Sequence, residues 1–367
     1  MVKKILDSDG MVFKRVFLIA TIVFLFFISS CTNDIGMVKP VEFSPDKAVI
    51  YDEEKPGILI GFREEGKWGY MDSDGNTRIK PVFEWVCYFS EGLSRAGING
   101  KTGFIDRTGR VAIKPNYSYA RVFSEELCAV KTGGKWGFIN KNGEYVIEPE
   151  FDWAGSFVSN LARAEKKGKY GYINKEGEFV IEPWFDFAWD FSGGTARIMV
   201  GRKWGYINEI GEFAVAPQFE AAGDFINGLA RVKVEGKWGY INKLGEMVIK
   251  PQFEDAGAFY GGLAKVAVKG NPVLKWGYIN ESGTVIIVPR FQEAGDFLEE
   301  YAPVKIGSVF SSKWGYIDKE GEVVIKPKFD YAFPFSGGLA FVRIGEGESA
   351  KWGYINKDGG YFLEPNN

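Results

Sequence analysis

With no histidine among its 367 residues, the chain must draw any acid–base or nucleophilic chemistry from other groups. The commonest general base, the usual imidazole metal ligand and every Ser-His or Cys-His pair are excluded. Carboxylates remain, and two of them across a cleft suffice to cleave a glycosidic bond. Most Asp and Glu here fall at repeated positions, whereas an active site needs one asymmetric place. The irregular spots are Glu125-Glu126, Glu299-Glu300 and the C-terminal tips, and none forms a recognisable catalytic motif. The expectation is a non-catalytic protein without a cofactor, with a carboxylate-dependent hydrolase of cell-wall glycan as the alternative.

Tryptophan offers a second chemistry, because its face stacks on sugar rings as well as filling cores. Trp68, Trp136, Trp204, Trp238, Trp276, Trp314 and Trp352 recur at one position, which points to core packing. Trp85, Trp153, Trp184 and Trp189 stand outside that position, and these four are the candidate contacts for a protein or carbohydrate ligand. A row of lysines, Lys67 to Lys351, offers a third chemistry, a cationic track for an anionic polymer. Acids recur just after the repeat prolines at Glu84, Asp152, Asp186, Glu220, Glu254 and Asp330, so local ion pairs are the expected use. Asp72-Ser73-Asp74-Gly75 has the Asp and Gly of a calcium loop but lacks the later ligands, and no metal is assigned.

These residues are positioned by a strict repeat. Nine times a Lys precedes a Gly by two residues, mostly as Lys-Trp-Gly, with a Pro twelve residues after each Gly, from Gly69 and Pro81 to Gly353 and Pro365. The spacing is 34 residues five times and 38 residues three times, a tandem array. In one unit, Leu229 to Val234 alternates as a strand does, Lys237 to Asn242 forms a second strand, and Met247 to Lys250 a third that stops at Pro251. Asn242-Lys243-Leu244-Gly245 between them has the form of a type I turn with a glycine bulge. The stretch from Phe253 to Phe259 reads as a turn of helix or a compact loop. The expected fold is all-β: nine three-stranded antiparallel meanders in an open, superhelical array, with a closed propeller-like ring as the alternative.

The repeated Lys-Trp-Gly-aromatic-Ile-Asn resembles the WG repeat family, the beta-rich repeats named for their Trp-Gly pair. Thr102 and Tyr170 depart from it. The resemblance implies a repeat scaffold, often in exported proteins, and brings no catalytic residues.

The N-terminus carries a separate signal. Lys14 and Arg15 precede an apolar run from Val16 to Ile28 that ends in Ile28-Ser29-Ser30-Cys31, which resembles the lipobox of bacterial lipoproteins. About 13 apolar residues fall short of the roughly 20 that span a bilayer. The expectation is a lipoprotein signal peptide over 1–30, lipidation at Cys31, a tether over 31–56 and the nine repeats over 57–367. Asp7 and Asp9 suit a signal peptide poorly, so Met11 is an alternative start with the same mature product. Of the 45 basic and 48 acidic residues, four and two lie in the first 30, leaving 41 against 46. That mild acidity argues against nucleic acid as a partner. Cys87 and Cys128 occupy different repeat positions, and Cys128 stands where other repeats carry Ala, as a small packed residue would. The expected localisation is the cell envelope, held to a membrane through Cys31 and facing outside the cytoplasm. Cys31→Ser is expected to abolish fatty-acid labelling and release the protein from the membrane fraction; labelling unchanged in that variant excludes Cys31 as the lipid site.

Overall fold

The computed structural model describes residues 59–72, 76–308, 311–347 and 350–366, and its named elements are all strands. The expected signal peptide, Cys31, the tether and turn residues 73–75 lie outside the described residues. The chain divides into two compact units, Met1–Gly100 with Phe104–Arg110, and Lys101–Gly103 with Val111–Asn367. In the first, Ile60–Glu64, Lys67–Met71 and Thr77–Phe83 form a three-stranded sheet, and Tyr70, Ile79, Phe83, Phe89 and Ala96 share a core. The second holds seven complete four-stranded sheets.

Among the described residues there are nine small antiparallel sheets, eight of four strands, each in sequential up-and-down order. Ala221–Ala222, Leu229–Val234, Lys237–Asn242 and Met247–Phe253 make one of them. This is blade architecture, and it corrects the expectation of three-stranded meanders in an open array: the closed propeller-like ring is the better match. The connector is not a helix: a two-residue strand, Asp255–Ala256, is followed by the short irregular stretch Gly257-Ala258-Phe259. Straight after the buried Phe, the chain stays extended for two residues and pairs with the following repeat, as Ala221↔Lys233 and Ala222↔Val232. Two residues are too few to show a period in the sequence.

The third strand is the best-buried part of each blade. Gly239, Tyr240 and Ile241 are all buried, so both faces of the strand are covered. Register explains the glycine. Between the pairs Trp238↔Phe253 and Tyr240↔Ile249 the third strand advances two residues while the fourth advances four. The bulged fourth strand presses its backbone onto the glycine, where a Cβ would lie 2.7 Å from Pro251 N and against Ile249 O. The invariant twelve-residue spacing from Gly to Pro is this contact, and proline suits the bulge because it has no N–H to leave unpaired.

Turns and cores then couple successive blades. In Asn242-Lys243-Leu244-Gly245 the Asn242 Oδ1 accepts from Leu244 N and Glu246 N at 3.0 Å each, and Gly245 has φ 80°. A Cβ on Gly245 would sit 3.1 Å from Val215 Cγ1 of the preceding blade. Tyr240, Ile249 and Phe253 share one core with Ala256, Phe259, Ala264 and Ile279 of the next blade, so neither sheet buries its face alone. Tyr172, Tyr206, Tyr240, Tyr278 and Tyr316 are fully buried, and each hydroxyl donates to a connector carbonyl of the next blade, as Tyr206 does to Gly223 O at 2.6 Å. Burial raises these phenols well above their ordinary 10.0, so they remain donors. Where Phe104 replaces Tyr, the carbonyl seventeen residues on, Arg121 O, accepts from the Cys128 thiol at 3.0 Å. Cys87 and Cys128 are buried and unbridged.

The motif Trp is less deep than its position suggested. Trp136 and Trp314 are buried, but Trp204, Trp238 and Trp276 are half-buried. The aromatic two residues later holds the centre, because the Trp side of the strand ends under charged side chains.

Four of the nine motif lysines pair with acids. Lys237 Nζ lies 2.6 Å from Glu254 Oε1 and Lys313 Nζ 2.5 Å from Asp330 Oδ1, while Lys135 pairs with Asp152 and Lys169 with Asp186. Asp152 and Asp186 also accept from Lys167 N and Gly201 N at the hairpin tips, at 2.8 and 2.7 Å. The lysine hydrogen bond, then that backbone N–H, holds each carboxyl below its ordinary 3.8.

Two expected outcomes follow from these contacts. Gly239→Ala is expected to cost about 3 kcal/mol in urea denaturation, the upper range for forcing atoms into a packed site. Gly236→Ala, where no atom lies within 4 Å and only the positive φ opposes a side chain, is expected to cost about 1 kcal/mol. Equal losses would refute the close-approach explanation. Because the Asp152 and Asp186 values are depressed on folding, their contribution is complete well above 3.8 and disappears as pH falls through the lowered folded values. Lys135→Met with Lys169→Met is expected to flatten the decline of the calorimetric Tm below that pH; a profile superimposable on the parent contradicts the pairing.

Candidate functional site

The four tryptophans outside the motif go to different environments. Trp85, 39% exposed, lies in the first unit on the strand holding Gly97, where a Cβ would meet Trp85 Cδ1 at 2.5 Å. Trp153 and Trp189 are half-buried members of a ladder running across neighbouring blades of the second unit. Arg121 and Arg163 stand over Trp153 at 4.5 and 4.1 Å from its centroid, and Arg197 stands over Trp189 at 4.5 Å. Arg231 continues the series over the motif Trp238 at 4.9 Å.

Each arginine also reaches forward to the next blade. Arg121 Nε donates to Ala154 O at 2.7 Å, and Arg163 and Arg231 donate to Ala188 O and Ala256 O. Arg197 donates to Ala222 O and to Asp224 Oδ1, both at 2.6 Å. A planar fork of donors above an aromatic face satisfies both demands at once, which lysine does less well. The ladder ties Trp153 and Trp189 into the junctions between blades, and of the three tryptophans outside the motif in the second unit only Trp184 is exposed. Arg163, Arg197 and Arg231 recur 34 residues apart in the sequence, but no local pattern signals that such a side chain bonds a backbone about 25 to 33 residues ahead.

Among the irregular carboxylates, Glu125 and Glu299 join blades, whereas Glu126 pairs within its own. Glu125 accepts from Asn160 N at 3.0 Å and pairs with Lys175 at 3.2 Å, while Glu126 pairs with Lys141 at 2.9 Å. Glu299 accepts from Gly338 N at 3.0 Å and pairs with Lys357 at 2.8 Å; that hydrogen bond raises the lysine above its ordinary value. Among the described residues, no three His, Cys, Asp or Glu side chains are arranged to hold a metal ion.

Trp184 is different. It is 44% exposed, packs on Phe185 with centroids 4.4 Å apart, and meets the ring of Phe213 in the next blade edge-on at 5.9 Å. The adjoining turn tips carry Ile210 and Leu244, exposed by 74% and 77%. These two aliphatic residues are absent from the sequence-predicted contacts, although a signal existed: the third turn position is Thr108, Asn142, Glu176, Ser282, Glu320 or Asp358 elsewhere.

In comparisons with known proteins, eight stretches match the model of the WG containing repeat: 68–101, 103–136, 136–170, 170–204, 204–238, 238–271, 276–309 and 314–347. No curated protein matches the sequence. Among solved structures, two of Kluyveromyces lactis Hsv2 align at 10% identity. One, described as having a complete loop 6CD, has a TM-score of 0.38 over 66% of this chain and 95% of its own; the other has 0.35 over 65% and 96%. The tricorn protease aligns at 9% identity with a TM-score of 0.29, over 87% of this chain and 44% of its own. The repeat matches span most of the sequence, and on them the chain belongs to the family of WG-containing repeat proteins.

Proposed function

We propose that this protein is an exported, lipid-anchored scaffold that binds a protein or glycan partner at the cell envelope and carries out no chemistry itself. One observation carries the reading. The recurring Gly, Pro, Tyr and Arg positions and four of the nine motif lysines are taken up by contacts within and between blades, while the residues that break the repeat include aromatic and aliphatic side chains open to solvent, Trp184 foremost. A rigid frame with a locally distinct apolar surface is suited to recognition. Anchoring through Cys31 supports a role at the envelope, since a tether of about 26 residues leaves the repeats free to meet a partner.

The purified protein is to be screened against wall polysaccharides and envelope proteins, with binding and release of reducing ends measured on the same samples. The expected result is binding without turnover, weakened by Trp184→Ala at unchanged Tm. Polymer cleavage that disappears when Glu125 and Glu126, or Glu299 and Glu300, become Gln would replace the scaffold with the hydrolase.

A further inference from the structure

Resting on the scaffold reading, we infer that the partner is a protein segment with apolar anchors flanked by Lys or Arg, and that it docks on the exposed surface formed by Trp184, Ile210, Phe213, Leu244 and Met247. The five side chains come from three consecutive blades and are all exposed. Their continuity is built into the stacking. Phe213 meets Trp184 across one blade junction, and the turn carrying Leu244 rests on Val215 across the next. Elsewhere the same turn position is polar, so the apolar tips occur at one place in an otherwise repeating surface.

Charge selects among occupants. The turn-and-strand segments 174–184, 208–218 and 242–252 that bear the surface hold six carboxylates and three lysines. All six, Glu176, Glu178, Glu182, Glu209, Glu212 and Glu246, are exposed. Two of the lysines are engaged elsewhere: Lys175 pairs with Glu125 at 3.2 Å, and Lys243 donates to Gly193 O at 2.6 Å. Three of the glutamates accept only from the neutral side-chain amides of Asn174, Asn208 and Asn242, which leaves their charge in place. An apolar patch with an acidic rim repels an anionic lipid surface and attracts a basic, amphipathic partner; the apolar centre supplies burial and the rim sets orientation and on-rate. A neutral glycan would use Trp184 but has no need for Ile210, Leu244 or Met247.

The test uses the full chain and a random twelve-residue peptide display library, counter-selected on the chain carrying Ile210→Asp and Leu244→Asp. Both substituted side chains are exposed, so the variant is expected to keep the parental Tm, and circular dichroism checks this. Enriched peptides are expected to carry two or more apolar anchors with net positive charge. Synthetic copies should bind the variant at least about tenfold more weakly, and copies with Lys and Arg changed to Glu should lose about as much on the parent protein. No patch-dependent enrichment, or enrichment of acidic or uncharged peptides, overturns the inference. So does co-sedimentation of the Cys31→Ser chain with phosphatidylcholine–phosphatidylglycerol vesicles that the double substitution abolishes, which would make the surface a lipid contact. Self-association lost in the variant would make it a contact between copies and overturns the inference equally. A ligand from the wider screen that binds parent and variant equally leaves the scaffold standing and removes this docking site, whereas a screen in which nothing binds removes the scaffold itself.

Discussion

The structure depends on one close approach, that of the fourth-strand bulge to the motif glycine. The backbone at Ile249 and Pro251 sits where the first carbon of any side chain on Gly239 would be, and the arrangement recurs along the array. Because the fourth strand gains two residues there, Phe253 comes back opposite Trp238 and the chain leaves the blade pointing into the next repeat. Glycine allows the contact, and proline completes it without orphaning a donor. Blade geometry, the exit direction of the chain and the pairing of the two-residue connector strand all follow from it.

Stability in such a chain belongs to junctions more than to units. A four-stranded blade of about 34 residues buries little by itself, and its core side chains are shared with the blade after it. Three kinds of contact repeat at the junctions: a tyrosine hydroxyl on a connector carbonyl, a turn glycine on an aliphatic side chain, and a basic residue reaching forward to a carbonyl or carboxylate. Their chemistry varies while their geometry persists. Lys265 with Asp296 at 3.3 Å takes the place that Arg197 and Asp224 hold two blades earlier. The Cys128 thiol supplies a donor to a carbonyl of the kind that tyrosine serves elsewhere. Substitution at one member of a junction is therefore tolerated when another group can donate to the same oxygen.

Function in a repeat frame is found where the frame is broken. A residue that recurs in every blade has a reason to be there that is local to every blade, as the motif glycines show through the backbone pressed against them. Trp153 and Trp189 break the pattern and are nevertheless absorbed, because guanidinium groups anchored to the next blade cover them. Trp184, Ile210 and Leu244 break it and remain open. Departure from the repeat was visible in the sequence; which departures face solvent was not.

The sequence by itself determined the period, the β content, the turn glycines and the fixed spacing of Gly to Pro, since each depends on residues within one hairpin where steric and hydrogen-bonding preferences act locally. It also determined the exclusion of imidazole chemistry. Tertiary structure decided the rest. The connector is a strand only because the next sheet offers it partners, and two residues carry no readable period. Tyr240 is deeper than Trp238 because the neighbouring blade closes over one and a charged side chain over the other. The arginine ladder, the acids that bridge blades and the exposed patch join residues about 25 to 50 positions apart, and such pairs are set by how sheets stack rather than by any pattern along the chain.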